Sequence, residues 1–150
     1  MKIKKVNRYW CDFCNKAGLS ASHMAKHEKH CTLNPARECR MCKMMKDGWD
    51  SDFKQATLPE LIAILPPPDM VANENGGIEY HYTYQAKLDA AIPLLRKAAG
   101  GCPACMMAAL RQAKIHVPMA TGFDFTRECK EIWSGINEDR QYRQSVYEHY

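Results

Sequence analysis

The spacing of cysteine and histidine between Tyr9 and Cys42 constrains this chain more than any other feature. In YWCDFCNKAGLSASHMAKHEKHCTLNPARECRMC, Cys11 and Cys14 form a C-x-x-C pair, twelve residues pass before His27, and three more before Cys31. A C-x-x-C turn presents two thiolates to one ion from a tight knuckle. His27 and Cys31 are four apart, so on a helix they share one face, a single turn from each other. Zinc takes such nitrogen and sulfur ligands tetrahedrally, and a unit of about thirty residues is unfolded without it. The expected metal ligands are therefore Cys11, Cys14, His27 and Cys31. Using His23 with His27 instead leaves eight residues after Cys14, too few for a hairpin and a helix. His30, next to Cys31, stays open as the other candidate for the fourth position. The run HEKH reads H-E-x-H and misses the metalloprotease spacing H-E-x-x-H by one residue.

With Tyr9 two residues before the first cysteine, Met24 three before His27, and then HEKHC, this segment resembles the ββα zinc fingers. The resemblance implies two short strands, a helix, and a miniature core containing Tyr9 and Met24. One position departs: the aromatic usual four residues after the second cysteine is Gly18 here, and Ala17 or Leu19 is expected to fill its space. The run HEKHCTLNPARECRMC is also similar to small uncharacterised phage and bacterial proteins in which a finger leads into another C-x-x-C. The resemblance covers about the first third of the chain and transfers no activity.

Beyond Asn34-Pro35, which ends the first helix, Cys39-Arg-Met-Cys42 forms a second pair with no histidine at finger distance. Its expected partners are Cys102-Pro-Ala-Cys105. Pro103 favours the first position of a helix, and Gly100-Gly101 ends the preceding one. A knuckle and a C-x-x-C on a helix's first turn can enclose a four-cysteine zinc site, an arrangement that resembles treble-clef domains. Cys39, Cys42, Cys102 and Cys105 are thus expected to hold a second zinc, with an unpartnered thiol pair or a redox C-P-x-C pair as the alternative.

At 150 residues the chain allows a finger (residues 1–34) and one further small domain (35–150). No apolar run approaches the roughly 18 residues of a membrane span, and MKIKKVNRYW has no apolar signal core. Reduced, zinc-binding thiols in the cytoplasm are expected rather than disulfides. The net charge of +4 is uneven. Residues 1–50 carry eleven Lys or Arg against five Asp or Glu, giving +6, and the other hundred carry −2. Such a distribution suits a polyanion, or is simply a solvated basic surface.

The remaining chain reads mostly as helix. Ser20 caps the finger helix, which runs to about Cys31. Residues 58–65, LPELIAIL, form a short apolar helix stopped by Pro66-Pro67-Pro68. NENGG is a turn. GIEYHYTY alternates, so Ile78, Tyr80, Tyr82 and Tyr84 share a face if it is a strand, with His81 on the surface. A helix over 85–99 carries Leu88, Ala91, Ile92, Leu95 and Ala99 on one stripe, with Pro93 expected to kink or divide it. A helix over about 103–115 presents Met106, Met107, Leu110 and Ala113, as core or as a partner groove. A last helix begins near Asp124 with Phe125, Cys129, Ile132, Trp133 and Ile136 at helical spacing, and after Asn137 comes a polar, aromatic tail, either the helix's frayed end or a contact arm. The fold class expected is α+β, mostly helical: a ββα finger followed by a small helical domain stapled by four cysteines.

There is no Walker loop, no G-x-S-x-G, no H-E-x-x-H and no Rossmann glycine pattern, and four-ligand zinc sites leave no open position for water. No enzymatic activity is expected. The leading expectation is a zinc-dependent, regulatory nucleic-acid-binding protein with two zinc ions, DNA ahead of RNA as its partner. If the ββα docking mode applies, Ser20, His23 and Lys26 face base edges. Lys4, Lys5, Arg8, Lys26, Lys29, Arg37 and Arg40 serve as the basic contacts to the polymer. The alternatives are a zinc-stapled protein-interaction adaptor or inhibitor and, behind it, a metal-dependent nuclease using His81 or His116.

Overall fold

Ser20 starts the first long element. Its hydroxyl accepts from the backbone N–H of His23 at 3.4 Å, satisfying one of the orphan donors at the helix start. The helix α1 (Ala21–His30) follows, preceded by strands β1 (Tyr9–Trp10) and β2 (Ala17–Gly18), which pair antiparallel with Tyr9 opposite Gly18 and Trp10 opposite Ala17. In this computed structural model the described residues are 5–46, 54–67, 71–72, 78–79, 82–117, 120 and 122–147. After the ββα unit come α2 (Arg40–Met45), α3 (Leu58–Ile64), β3 (Val71–Ala72), β4 (Ile78–Glu79), α4 (Tyr82–Ala98), α5 (Pro103–Gln112) and α6 (Phe125–Tyr147). The chain is mostly helical, opening on a two-stranded ribbon and a helix.

The main core lies where α3, α4 and α5 meet, with the first turns of α6 against it. Leu61, Leu88, Ile92, Leu95, Met106 and Leu110 are fully buried there, each contributing about 1.5–3 kcal/mol by leaving water. Glu60 accepts from the backbone N–H and hydroxyl of Thr57 at 2.6 and 2.8 Å, fixing the start of α3. Gly100 and Gly101, both at positive φ, close α4 through a bond from Gly101 N–H to the Arg96 carbonyl. That turn places Cys102 as the cap and Pro103 as the first residue of α5.

Four expectations change or are decided. A strand made of the alternating run would reach Tyr84, but β4 stops at Glu79 and α4 begins at Tyr82. Tyr84 is buried one helical turn before Leu88, so the period-3.6 stripe of Leu88, Ile92 and Leu95 extends back through it. Burial against the core outweighs pairing with a two-residue strand; Tyr80 and His81 lie outside the described residues. Pro93 does not divide α4. It sits on the exposed side of the helix, away from the buried stripe of Leu88, Ile92 and Leu95. Helix α6 takes in residues 138–147, so that part of the tail is the helix's end.

The fourth concerns the miniature core of the ββα unit. Its buried residues are Cys11, Met24 and Cys31, with Cys14 and Leu33 packed on them. Tyr9 is exposed, and so is Leu19. The space left by Gly18 is taken by Met24, whose Cε lies 3.1 Å from where a Gly18 Cβ would stand. A flexible methionine reaches across from the helix and does what an aromatic on the strand would do.

The ββα unit is tied to the helical core. Gln112 donates to the carbonyls of Thr32 and Asn34 at 2.9 and 3.2 Å, and Arg111 to the Thr32 hydroxyl at 3.2 Å. Glu38 bridges Lys29 of α1 and Lys43 of α2.

Candidate metal centres

The first centre is assembled by local geometry. The C-x-x-C knuckle closes through the Cys11 N–H to Lys16 carbonyl bond at 2.8 Å, with Asn15 in the left-handed region at φ 57°. The backbone N–H of Phe13 donates to Cys11 Sγ at 3.4 Å. His27 projects from the last turn of α1, and Cys31 is its C-terminal cap. The four ligand atoms of Cys11, Cys14, His27 and Cys31 lie within 4.8 Å of one another, with Cys14 Sγ 3.1 Å from His27 Nε2. His30 is turned elsewhere, its Nδ1 2.9 Å from the Glu38 carbonyl oxygen, and His23 is exposed. The geometry gathers Cys31 and leaves His30 out.

The second centre joins two helix starts. Cys39 caps α2 and Cys102 caps α5, so each C-x-x-C pair occupies a cap and a first turn. Helix N-termini favour negative charge, which suits thiolates. Cys39 Sγ lies 3.7 Å from Cys102 Sγ, and Cys42 Sγ 3.3 Å from Cys105 Sγ. A disulfide needs about 2.05 Å, and all eight cysteines are free. Sulfurs held 2.3 Å from a tetrahedral zinc are about 3.8 Å apart. The four ligand atoms fall within 4.8 Å of one another, so both sets are compatible with zinc.

The proton affinities of the second set carry the same message. Hydrogen bonding from Cys102 and Cys105 holds Cys39 well below an ordinary thiol, and the Cys102 contact likewise draws Cys105 down. Cys102 is pushed up, by its contacts with Cys105 and Cys39 first and burial after. Cys42 is also raised, because the Cys105 and Cys39 contacts and burial outweigh a lowering contact from Cys102. Each close sulfur pair thus couples one easily ionised thiol to one that keeps its proton. Four thiolates together in a buried site require a cation. At the first centre burial raises Cys14, but hydrogen bonding with His27 and then Lys16 brings it down to about 7. Burial pushes Cys31 up.

Two side chains complete the second centre. Gln55 Nε2 donates to Cys42 Sγ at 3.1 Å and lies 3.4 Å from Cys105 Sγ, while also reaching the Ala99 carbonyl. Arg37 Nη1 is 3.8 Å from Cys105 Sγ and 3.4 Å from the Ala104 carbonyl. Four thiolates around one divalent ion leave a net charge of −2, which a guanidinium and an amide donor spread and orient. No sequence pattern marks Gln55, and Arg37 was counted among the basic contacts for a polymer; its side chain is turned inward. A cleft of about 260 Å³ opens onto the centre between Arg37, Lys43, Lys46 and Gln55.

Comparison with known proteins adds no relative. No family model, curated protein or solved structure matches this chain.

The remaining expected contact residues divide clearly. Lys5, Arg8, Lys26 and Arg40 are exposed, as is Lys29, which is paired with Glu38. Ser20 is committed to capping α1. Lys4 lies outside the described residues. Among the described residues no helix is long and apolar enough to cross a membrane.

Proposed function

We propose that this chain is a nucleic-acid-binding protein of regulatory type, held in shape by two structural zinc ions, DNA ahead of RNA as its polymer. Cys11, Cys14, His27 and Cys31 hold one ion, as a C2HC-type finger does; Cys39, Cys42, Cys102 and Cys105 hold the other. Four protein ligands close each site, so the metal braces the fold and leaves no open position for a reacting water. The observation that carries the nucleic-acid reading is the state of the finger's cations. Lys5, Arg8, Lys16 and Lys26 are exposed and have no acidic partner among the described residues. Unpaired cations on one small unit attract phosphates and release their counterions. The test is fluorescence anisotropy of labelled oligonucleotides with the zinc-loaded protein between about 50 and 200 mM salt. A log–log slope of about −3 to −5 is expected for four or five phosphate contacts. No binding at the lowest salt removes the reading.

A second reading is supported by a different surface. A groove of about 580 Å³ runs between α2 and α6, floored by Met44, Met45, Ile132 and Ile136 and edged by Lys43 and Arg140. Adaptable methionine surfaces accept apolar partner segments. An interaction adaptor using this groove would keep its partner when the finger cations are neutralised and lose it on Ile136→Asp. Met106 and Met107, open in the sequence to a core or a groove role, are core.

A further inference from the structure

The nucleic-acid reading leaves open how the finger meets its polymer, and the structure bears on that. Groove reading by α1 is poorly equipped. The helix ASHMAKHEKH contains no Arg, Asn or Gln to pair bidentately with a base edge. Ser20 is used as the cap, and Glu28 accepts from the backbone N–H of Asp12 at 3.1 Å. The ribbon in front of the helix is differently furnished. Trp10 is 57% exposed, Phe13 40% and Tyr9 38%, three aromatic rings within five residues on a unit whose own core needs none of them.

The register explains why Trp10 is bare. The Gly18 side of the ribbon faces α1, because a Cβ there would meet Met24. Successive strand residues point to opposite faces, so Trp10 and its cross-strand neighbour Ala17 look away from the helix. Alanine is too small to cover an indole. The ring stands uncovered beside a backbone that carries Lys5, Arg8 and Lys16, all exposed and without an acidic partner among the described residues. Aromatic faces interleaved with free cations are the two components of a surface that stacks unpaired bases and neutralises their phosphates. A duplex offers its bases only at groove edges, so those rings would have nothing to stack on.

We propose that the β1–β2 ribbon binds single-stranded nucleic acid, with Trp10 as the principal stacking platform, Phe13 in the adjoining turn as a further ring contact, and Lys5, Arg8 and Lys16 on the phosphates. Tyr9, opposite Gly18, belongs to the helix side of the ribbon. The proposal rests on the nucleic-acid reading above and narrows its ligand to unpaired strands. Charge complementarity selects a polyanion over an apolar protein partner for this face.

The experiment compares a twelve-nucleotide oligo-dT with a twelve-base-pair duplex, by anisotropy, on the full zinc-loaded chain. The proteins are wild type, Trp10→Ala and Trp10→Phe, with zinc content checked by native mass spectrometry to show that the exposed substitution leaves the finger intact. The single strand should bind more tightly than the duplex. Trp10→Ala should weaken it about tenfold, Trp10→Phe should restore most of the loss, and the salt slope should not change. Duplex binding at least as tight as single-strand binding, or no effect of Trp10→Ala, overturns the stacking mode while the broader reading survives. Absence of binding to either polymer at low salt overturns both, and leaves Trp10 as a protein contact.

Discussion

Cys14 and His27 of the first centre are thirteen residues apart and meet through one hairpin and one helix, whereas the second centre brings together pairs sixty-three residues apart. The surroundings differ as much as the spans. Among the described residues the first centre's cluster contains three buried ones, two of which are themselves ligands, so Met24 is the only other buried side chain among them. The second centre is embedded in the core that holds Leu61, Leu88, Ile92, Leu95, Met106 and Leu110. One centre has almost no core apart from its ligands; the other has a core to which a metal would add a clamp. Where apolar burial is small, binding free energy is folding free energy. Where it is large, the metal tightens something that packing already favours.

The most severe way to break this contrast is to withdraw metal. Chelation at neutral pH should abolish amide-exchange protection in residues 9–31, with a loss on the order of 10 kcal/mol, while α4 and α5 stay protected. Persistence of protected amides in α1 without zinc would show that the finger has a core the structure does not reveal. Next in size is Cys102→Ser. Native mass spectrometry should find two zinc ions in the wild type and one in the variant, with residues 9–31 still protected. Two ions in the variant would mean that the second ion does not need all four cysteines. Third is Leu88→Ala, which opens a cavity in the core and should cost about 2–5 kcal/mol in denaturant unfolding. The finger's zinc should be unaffected, because Leu88 has no part in its cluster.

The same contrast explains what the sequence disclosed. The first centre was legible because its spacing is local: a knuckle, a helix, and ligands one turn apart leave a pattern that chain distance preserves. The second was legible only through the chemistry of paired cysteines, since nothing in the intervening residues encodes the approach of α2 to α5. Side chains selected by three-dimensional proximity were not legible. Gln55 reaches two sulfurs from a stretch without pattern, and Arg37 looked like a surface cation until the linker turned it inward. Tyr84 misled because its alternation with Ile78, Tyr80 and Tyr82 and its helical spacing to Leu88 coexist, and only burial decides between them. Met24 replacing a strand aromatic could not be read from Gly18, because the substitute comes from another element.

A subtler probe concerns the clamp itself. Gln55→Ala removes the amide donor from Cys42 and Cys105 without touching a ligand. Zinc affinity at the second centre should fall about tenfold to a hundredfold, measured by chelator competition, while the first centre's affinity stays put. Equal weakening at both centres would point to a general loss of fold stability. An unchanged affinity would show that the amide serves only the Ala99 carbonyl.

The smallest expected effect tests whether the two centres are independent at all. Glu38 receives Lys43 of α2 and Lys29 of α1 at 2.6 and 2.9 Å, and those two contacts hold its carboxyl down at about 2 from an ordinary 4.5. A carboxylate with a depressed folded value contributes stability that is fully present above about 4.5 and is lost as pH falls towards 2. All three groups are exposed, so the contribution is small and screened by salt. Thiolate protonation releases zinc in the same acid range, which is why the difference between wild type and Glu38→Gln matters rather than either curve alone. That difference should be level from pH 7 to about 5, shrink below it, and vanish near pH 2. A difference that also appears in the zinc affinity of both centres would show that the carboxylate couples them. A difference confined to overall stability would leave them as two separately assembled sites joined by a surface strap.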